Sequence, residues 1–221
     1  MFEVEVEDVH YFKYVFMALG WCIRSFLNCI FPIIIVDGTN LYKKYKGMLL
    51  IETYIDGNNN IYPITFSIVD EENDASWNWF MTHLKVLVGD IPNFVIILAR
   101  HISVVNDLSS IVPNAFHALC KYHIQNKLVD RFKNKGIISH FYLAAKAYRM
   151  SKFQISWVKL HQYPGVMTYL KEIGLQRWAR VYQVHCRYDK MTINIVECLN
   201  GVLKDAWELS ITNNDMHKYY S

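Results

Sequence analysis

Short apolar runs alternate with turn-forming residues through the first half of the chain. Pro32–Val36 and Phe94–Leu98 are rich in β-branched residues and lie next to turns, which favours buried strands. Gly47–Ile55 and Ile61–Val69 flank the sequence Asp-Gly-Asn-Asn-Asn, whose residues tolerate the positive φ values of a tight hairpin. The pattern predicts four strands in one sheet, with the first three antiparallel and the fourth parallel to the first.

Helical spacing of apolar residues follows these strands. Asn73 or Asp74 can cap a helix through Leu87, because Trp77, Phe80, Leu84 and Leu87 fall on one face. Other elements are expected as a short helix near 101–109, an apolar piece at Ala115–Phe116, and helices at Leu119–Phe132, 136–182 and Ile193–Trp207. This order is typical of a ribonuclease-H-like α/β domain, although other α/β domains share it.

The apolar stretch Tyr14–Val36 is almost long enough to cross a membrane, but its polar residues argue against a span. Arg24 and Asn28 fall near its middle, and Pro32 interrupts its far end. The acidic leader MFEVEVED has the wrong charge for a secretory signal. We therefore predict a buried helix that leads into a buried strand. The predicted organisation is a helical lead-in at 1–31, a domain at 32–210 with a helical insertion at 136–182, and a tail at 211–221.

Composition describes a packed globular protein. The 221 residues are 52% hydrophobic and 15% aromatic, which is enough to bury a core and excludes a disordered tail. A net charge of +3 is too weak to indicate nucleic-acid binding. The cluster Lys43, Lys44 and Lys46 is more suggestive, although such a run is usually a solvated face. Five cysteines without a pattern indicate free thiols in a reducing compartment.

Two acidic residues have positions that suggest chemistry. Asp37 ends an apolar strand, where a carboxylate is costly to bury unless it is paired or bound to a metal; Asp-Gly-Thr is equally good turn chemistry. Glu197 lies on a helix with an apolar stripe, but a glutamate three residues after a capping Asn194 is also an ordinary helix start. Reactive groups collect beyond the carboxyl ends of strands in α/β sheets. After Phe94–Leu98 that place holds Ala99, a small inert side chain.

Four segments carry the most specific motifs. They are FPIIIVDGTNLYKKYKGMLLIETYIDGNNNIYPITFSIVDEENDASWNWF, VIILARHISV, NAFHALCKYHIQN and MTINIVECLNGVLKDAWEL, and they extend from about residue 12 to 210. In order and motif they resemble the transposase domain of Mutator-like elements, the group with the plant MuDR transposases and their domesticated far-red-impaired-response relatives. The resemblance implies a ribonuclease-H-like mixed sheet with flanking helices and a helical insertion before the last catalytic helix.

The resemblance also implies DNA transposition by metal-dependent phosphoryl transfer. It places the first catalytic acid at Asp37 and the last at Glu197, both as ligands of Mg²⁺ or Mn²⁺. The family's middle acid belongs to a Ser-Asp-Arg-His-like motif, where this chain reads Leu-Ala-Arg-His. Because Arg100 and His101 keep the register, Ala99 replaces the aspartate and leaves an incomplete acidic triad. We therefore expect impaired catalysis and weak metal binding, since even a group that only supports a metal ligand contributes about 10–100-fold.

Cys120 and His123 match the family's Cys-x-x-His element. On a helix this spacing puts both side chains on one face, where they could supply two ligands of a zinc site. The alternative is a half-buried cysteine and a hydrogen-bonded histidine in the core. Further zinc ligands would have to come from His185, Cys186, His140 or His117. The candidates for DNA contact are Lys43, Lys44, Lys46, Arg100 and His101.

Three functions agree with these features. An active transposase is disfavoured by Ala99. The second is a non-catalytic, domesticated domain that keeps DNA or protein binding in transcription control, and the third is a decayed element fragment. The implied partner is double-stranded DNA at element ends, the implied compartment is the nucleus, no membrane is expected, and a homo-oligomer stays open. The family's flanking zinc modules are not recognisable, and we expect a piece of a longer protein.

Overall fold

The computed structural model describes residues 2–8, 11–28, 31–41, 47–58, 60–71, 73–98 and 110–183. Its strands are β1 (Phe2–Asp8), β2 (Tyr11–Ala18), β3 (Ile33–Leu41), β4 (Gly47–Ile55), β5 (Ile61–Val69), β6 (Val95–Leu98) and β7 (Phe116–Leu119). Its helices are α1 (Gly20–Leu27), α2 (Asp74–Val88), α3 (Lys121–Phe132), α4 (Ile137–Lys146), α5 (Met150–Lys159), α6 (Val166–Glu172) and α7 (Leu175–Trp178). Two 3₁₀ turns follow α5 and α7, at Leu160–Gln162 and Arg180–Tyr182.

The described strands form one mixed sheet in the order β1-β2-β5-β4-β3-β6-β7. The first five in this order are antiparallel, and β6 and β7 run parallel to β3. The predicted pairing of the four strands is therefore confirmed. With helices against it, this mixed α/β sheet is compatible with a ribonuclease-H-like fold.

Strand β3 is longer than the sequence predicts. It continues past Val36 to Leu41, so that Asp37, Gly38 and Thr39 pair with β4 residues instead of forming a turn. Gly38 permits the close approach, because a Cβ at this position would lie 2.9 Å from the Met48 sulfur. The interpretation of Asp37 as a turn former is therefore wrong.

The predicted helical lead-in is also wrong in part. Within residues 1–31 only α1 is a helix, whereas β1 and β2 are strands and β2 pairs with β5. Tyr14 and Phe16 are buried against one face of the sheet and Val15 against the other. A strand buried on both faces is a continuous apolar run, and periodicity does not separate it from a buried helix. No described helix is long and apolar enough to cross a membrane.

Local signals at the hairpin and at α2 behave as predicted. The Asp56 carboxylate accepts hydrogen bonds from the backbone N–H groups of Asn58 and Asn60, each at 2.8 Å, and closes the β4–β5 hairpin. The Asn60 side-chain amide donates to the same carboxylate, and these bonds lower the pKa of Asp56. Asn73 caps α2 by accepting from the Ser76 backbone N–H at 2.9 Å. Polar groups thus fix both ends of these elements.

Helices after α3 account for the predicted helical segment at 136–182. The helices α4, α5, α6 and α7 pack around Trp178, which is fully buried and donates its indole N–H to the Leu170 carbonyl at 3.1 Å. Phe141, Phe153 and Trp157 surround the Trp178 ring with centroids 5.3–6.3 Å away. These aromatic residues are part of the main core cluster, as the sequence interpretation favoured.

Candidate functional site

Asp37 is a buried carboxylate in the middle of the sheet. It lies on β3 opposite Ile51 of β4, and the residue is only 4% exposed. The residue before it, Val36, is the register partner of Leu98, the last residue of β6. Position 99 therefore follows the β6 residue that is paired next to Asp37, as the sequence alignment requires. Ala99 itself lies outside the described residues.

His123 approaches Asp37 from the first turn of α3. Its Nε2 lies 4.0 Å from Asp37 Oδ1, a separation suited to an ion pair when the ring is protonated but too long for a hydrogen bond. This placement follows from the chain path, because α3 begins directly after β7. The Cys120 N–H donates to the Leu98 carbonyl at 3.1 Å and so holds the start of α3 at the end of β6. The carboxyl ends of β6 and β7 and the first turn of α3 therefore gather at Asp37.

Cys120 is a buried free thiol at the N-cap position of α3. It packs with Ile35, Val95, Ile97 and Ala118 in a cluster on one face of the sheet. The other described cysteine, Cys22, is also free and buried, in agreement with the expectation of free thiols.

The zinc prediction is not decided by these positions. His117 precedes Ala118 on β7, and because successive strand residues face opposite sides, it lies on the face opposite to Cys120. His140 lies on α4 with its ring 6.2 Å from that of Tyr163. Among the described residues, no three His, Cys, Asp or Glu side chains form a group that could hold a metal ion. His185 and Cys186 lie outside them, so the zinc site stays a prediction.

A second buried carboxyl, Glu52, was missed by the sequence reasoning. It lies on β4 opposite Val36 and Thr65, and it is completely buried. Its neighbour Ile51 is the partner of Asp37, so alternation along β4 puts Glu52 and Asp37 on opposite faces of the sheet. The available signal was a single acid inside the run MLLIETYI.

Burial controls the chemistry of Glu52. It raises the pKa of the carboxyl from 4.5 to about 8, although a hydrogen bond from the Thr65 hydroxyl opposes the shift. That hydroxyl donates to Oε2 at 3.1 Å, whereas Oε1 is buried without a hydrogen-bond partner among the described residues. Glu52 is therefore a neutral core acid at pH 7 and does not add a charged ligand to the Asp37 site.

Tyr142 of α4 packs against the start of α3. Burial is the main cause of its raised pKa, and Cys120 and Tyr122 raise it further. Lys121 is 3% exposed, and its ammonium lies 5.9 Å from the centre of the Tyr142 ring. A buried cation over an aromatic face is stabilised by the ring quadrupole. The base of the Asp37 site is thus a packed layer of side chains.

The other predicted site residues lie outside the described part of the chain. These are the last acid Glu197, the Ala99–His101 motif, and the lysines Lys43, Lys44 and Lys46. The structure brings together Asp37 and His123 and leaves the arrangement of the remaining candidates as a prediction.

Comparison with known families supports the assignment made from these positions. The family model described as the MULE transposase domain matches residues 33–127. These residues form a MULE transposase domain. The match begins at β3 and ends within α3, so the MULE region contains Asp37, Cys120 and His123. It covers a little under half of the chain, and Glu197 lies beyond it. No curated protein matches the chain.

Proposed function

We propose that this protein is a Mutator-like, transposase-derived domain that acts on double-stranded DNA and whose catalytic site is impaired by Ala99. The observation that carries the proposal is the position of Asp37: a buried carboxylate one residue past the Val36–Leu98 pair, within a MULE transposase domain. Burying a carboxylate in a sheet costs stability, so folding alone gives no reason to keep it there. The proposed partner is the DNA of element ends, and the proposed compartment is the nucleus.

The residues that would hold a divalent cation are Asp37 and Glu197. Among the described residues, this edge of the sheet offers one carboxylate, Asp37, beside the imidazole of His123. Mg²⁺ or Mn²⁺ would supply Lewis-acid stabilisation of a reacting phosphate oxygen when bound. With alanine at the middle position, two carboxylates would have to replace three, and the proposal is therefore weak metal binding.

The deciding experiment compares the unaltered chain with its Ala99→Asp variant in strand cleavage and strand transfer with Mn²⁺. We expect activity to rise by at least about 10–100-fold, the range typical of groups that support a metal site. Calorimetry with Mn²⁺ provides a second readout, since the added carboxylate should tighten binding.

Its control is the double variant with Asp37→Ala added. This change should abolish the gain, because acids that act on one site have non-additive effects. Equal activity of the unaltered chain and the Ala99→Asp variant would contradict an impaired site. If both are inert but folded and bind metal, the non-catalytic domain of transcription control becomes the better conclusion.

A further inference from the structure

The positive charge of the protein is concentrated in its helical segment. Residues 131–182 contain ten of the 23 lysines and arginines but only one of the 20 acids, Glu172. This segment therefore carries a formal charge of +9, whereas the whole chain carries +3. Everything outside the segment is acidic on balance. The low net charge of the chain conceals this asymmetry.

The charges are densest where α4 turns into α5. Lys146 ends α4, Arg149 is the N-cap residue of α5, and Lys152 lies in its first turn. All three are exposed. In the part of the chain that the structure describes, no carboxylate lies within salt-bridge distance of them. We call this surface, together with Tyr148 and Arg180, the basic corner.

Tyr148 and Arg180 give the basic corner an aromatic centre. Tyr148 is 68% exposed, and the Arg180 guanidinium lies 3.5 Å from the centre of its ring. This stacking holds the guanidinium of the Arg180–Tyr182 turn beside the α4–α5 connection. A planar donor fork fixed in this way is suited to phosphate oxygens.

Folding does not account for these bases. The N-terminus of α5 carries the positive end of the helix dipole, where acidic side chains stabilise and basic ones destabilise. The ten-residue helix α5 has no acid in its first turn, and Arg149 and Lys152 lie there instead. The basic corner thus adds positive charge where the helix already provides it, an arrangement that favours a bound anion.

We propose that the basic corner binds the phosphate backbone of duplex DNA without reading its sequence. The choice of DNA over another polyanion rests on the proposed function. The exposed lysines Lys133, Lys135, Lys159 and Lys171 of the same segment extend the positive surface along α5 and α6. A duplex bound here contacts the helical segment rather than the acidic remainder of the chain.

The test measures binding of the full chain to a short fluorescent duplex over a series of salt concentrations in EDTA. The variant Lys146→Gln, Arg149→Gln, Lys152→Gln should weaken binding by about 10–100-fold at low salt. It should also reduce the slope of log affinity against log salt by about 3, since each lost phosphate contact removes about one. Circular dichroism melts show whether the variant remains folded.

A matched control removes three bases outside the helical segment, through Lys13→Gln, Arg24→Gln and Lys85→Gln. We expect its affinity and salt slope to stay within about twofold of the unaltered chain. Equal losses in both variants would overturn the proposal, as would an unchanged salt slope in the corner variant. Tighter binding to single-stranded RNA or to phosphatidylserine vesicles than to the duplex would also overturn it.

Binding in EDTA involves no chemical step, so this test and the strand-transfer test fail independently. An inert Ala99→Asp variant that still binds DNA through the basic corner contradicts only the proposed catalysis. An active Ala99→Asp variant whose DNA affinity ignores the corner substitutions contradicts only the basic corner.

Discussion

Two buried carboxyl groups, one residue apart in register, have opposite consequences at the scale of single residues. Asp37 lies beside His123 at the end of β6, whereas Glu52 lies on the other face with a single hydrogen bond from Thr65. Alternation along a strand produces this separation, since adjacent register pairs point to opposite faces. Asp37 is thereby positioned for function and Glu52 for an effect on stability.

The stability of the protein should decrease with rising pH because of Glu52. In the unfolded chain the carboxyl loses its proton near pH 4.5, and in the fold it keeps it to about pH 8. The fold therefore binds the extra proton between these values, so the free energy of unfolding falls as pH rises. At about 1.4 kcal/mol per tenfold change, the loss amounts to about 5 kcal/mol. Urea unfolding at pH 5 and pH 8 measures it.

Glu52→Gln should remove most of this dependence and make the protein more stable than the unaltered chain at pH 8. The amide keeps an oxygen to accept the Thr65 hydroxyl bond and carries no charge to bury. The control is Glu71→Gln at an exposed position, which should keep the original pH dependence. A variant at position 52 with the same pH profile as the unaltered chain would disprove the raised pKa.

At the scale of elements, short polar contacts determine where helices and strands begin. The α2 helix starts at the residue after Asn73, whose side chain satisfies the Ser76 N–H. The start of β4 depends instead on a missing side chain, because a Cβ on Gly47 would lie 2.4 Å from the Val69 carbonyl oxygen. Both signals are visible in the sequence, and both segments begin where the sequence predicts.

Asn73→Ala should destabilise the fold by about 1 kcal/mol, the usual effect of losing an N-cap acceptor. The Ser76 N–H would then lack its side-chain partner at the exposed end of α2. Chemical unfolding measures the change as a lower midpoint with an unaltered slope. Asn73→Asp keeps an acceptor oxygen and should stay close to the unaltered protein. Equal losses in the two variants would show that the cap contributes little.

At the scale of the whole molecule, the sheet is larger than the MULE match. Strand β2 covers β5, and Phe16 lies 6.0 Å from the Phe80 ring of α2. Tyr14 and Phe26 are buried in the same main cluster. The residues before 33 are therefore part of the structure that supports the site, although the family match begins only at β3.

A chain that begins at residue 31 should lose its cooperative thermal transition. Removal of one buried phenylalanine typically costs about 3–5 kcal/mol, and the whole fold is worth only about 5–15 kcal/mol. The cut would also expose the edge of β5 and promote aggregation. A chain that begins at residue 11 is the control, since it removes only the edge strand β1 and should still melt cooperatively. A cooperative melt of the shorter chain would contradict this prediction.

The sequence by itself determined the local elements and the family. Turn residues and apolar runs placed β4 and β5 at their observed bounds and α2 within one residue of its end, because these signals act between near neighbours. The same motifs led to the MULE transposase domain and to Asp37 as its first acid. Local chemistry, however, made β2 a helix and ended β3 at Val36.

Only the tertiary structure decided what depends on contacts between distant residues. Strand β2 exists because β5 pairs with it and both its faces are covered, and the run alone fits a helix equally well. The approach of His123 to Asp37 joins residues that are far apart in the chain. The raised pKa of Glu52 needs a desolvated environment that several elements build together. Burial and proximity are properties of the folded chain, and they turned a list of acids into one functional carboxylate and one structural acid.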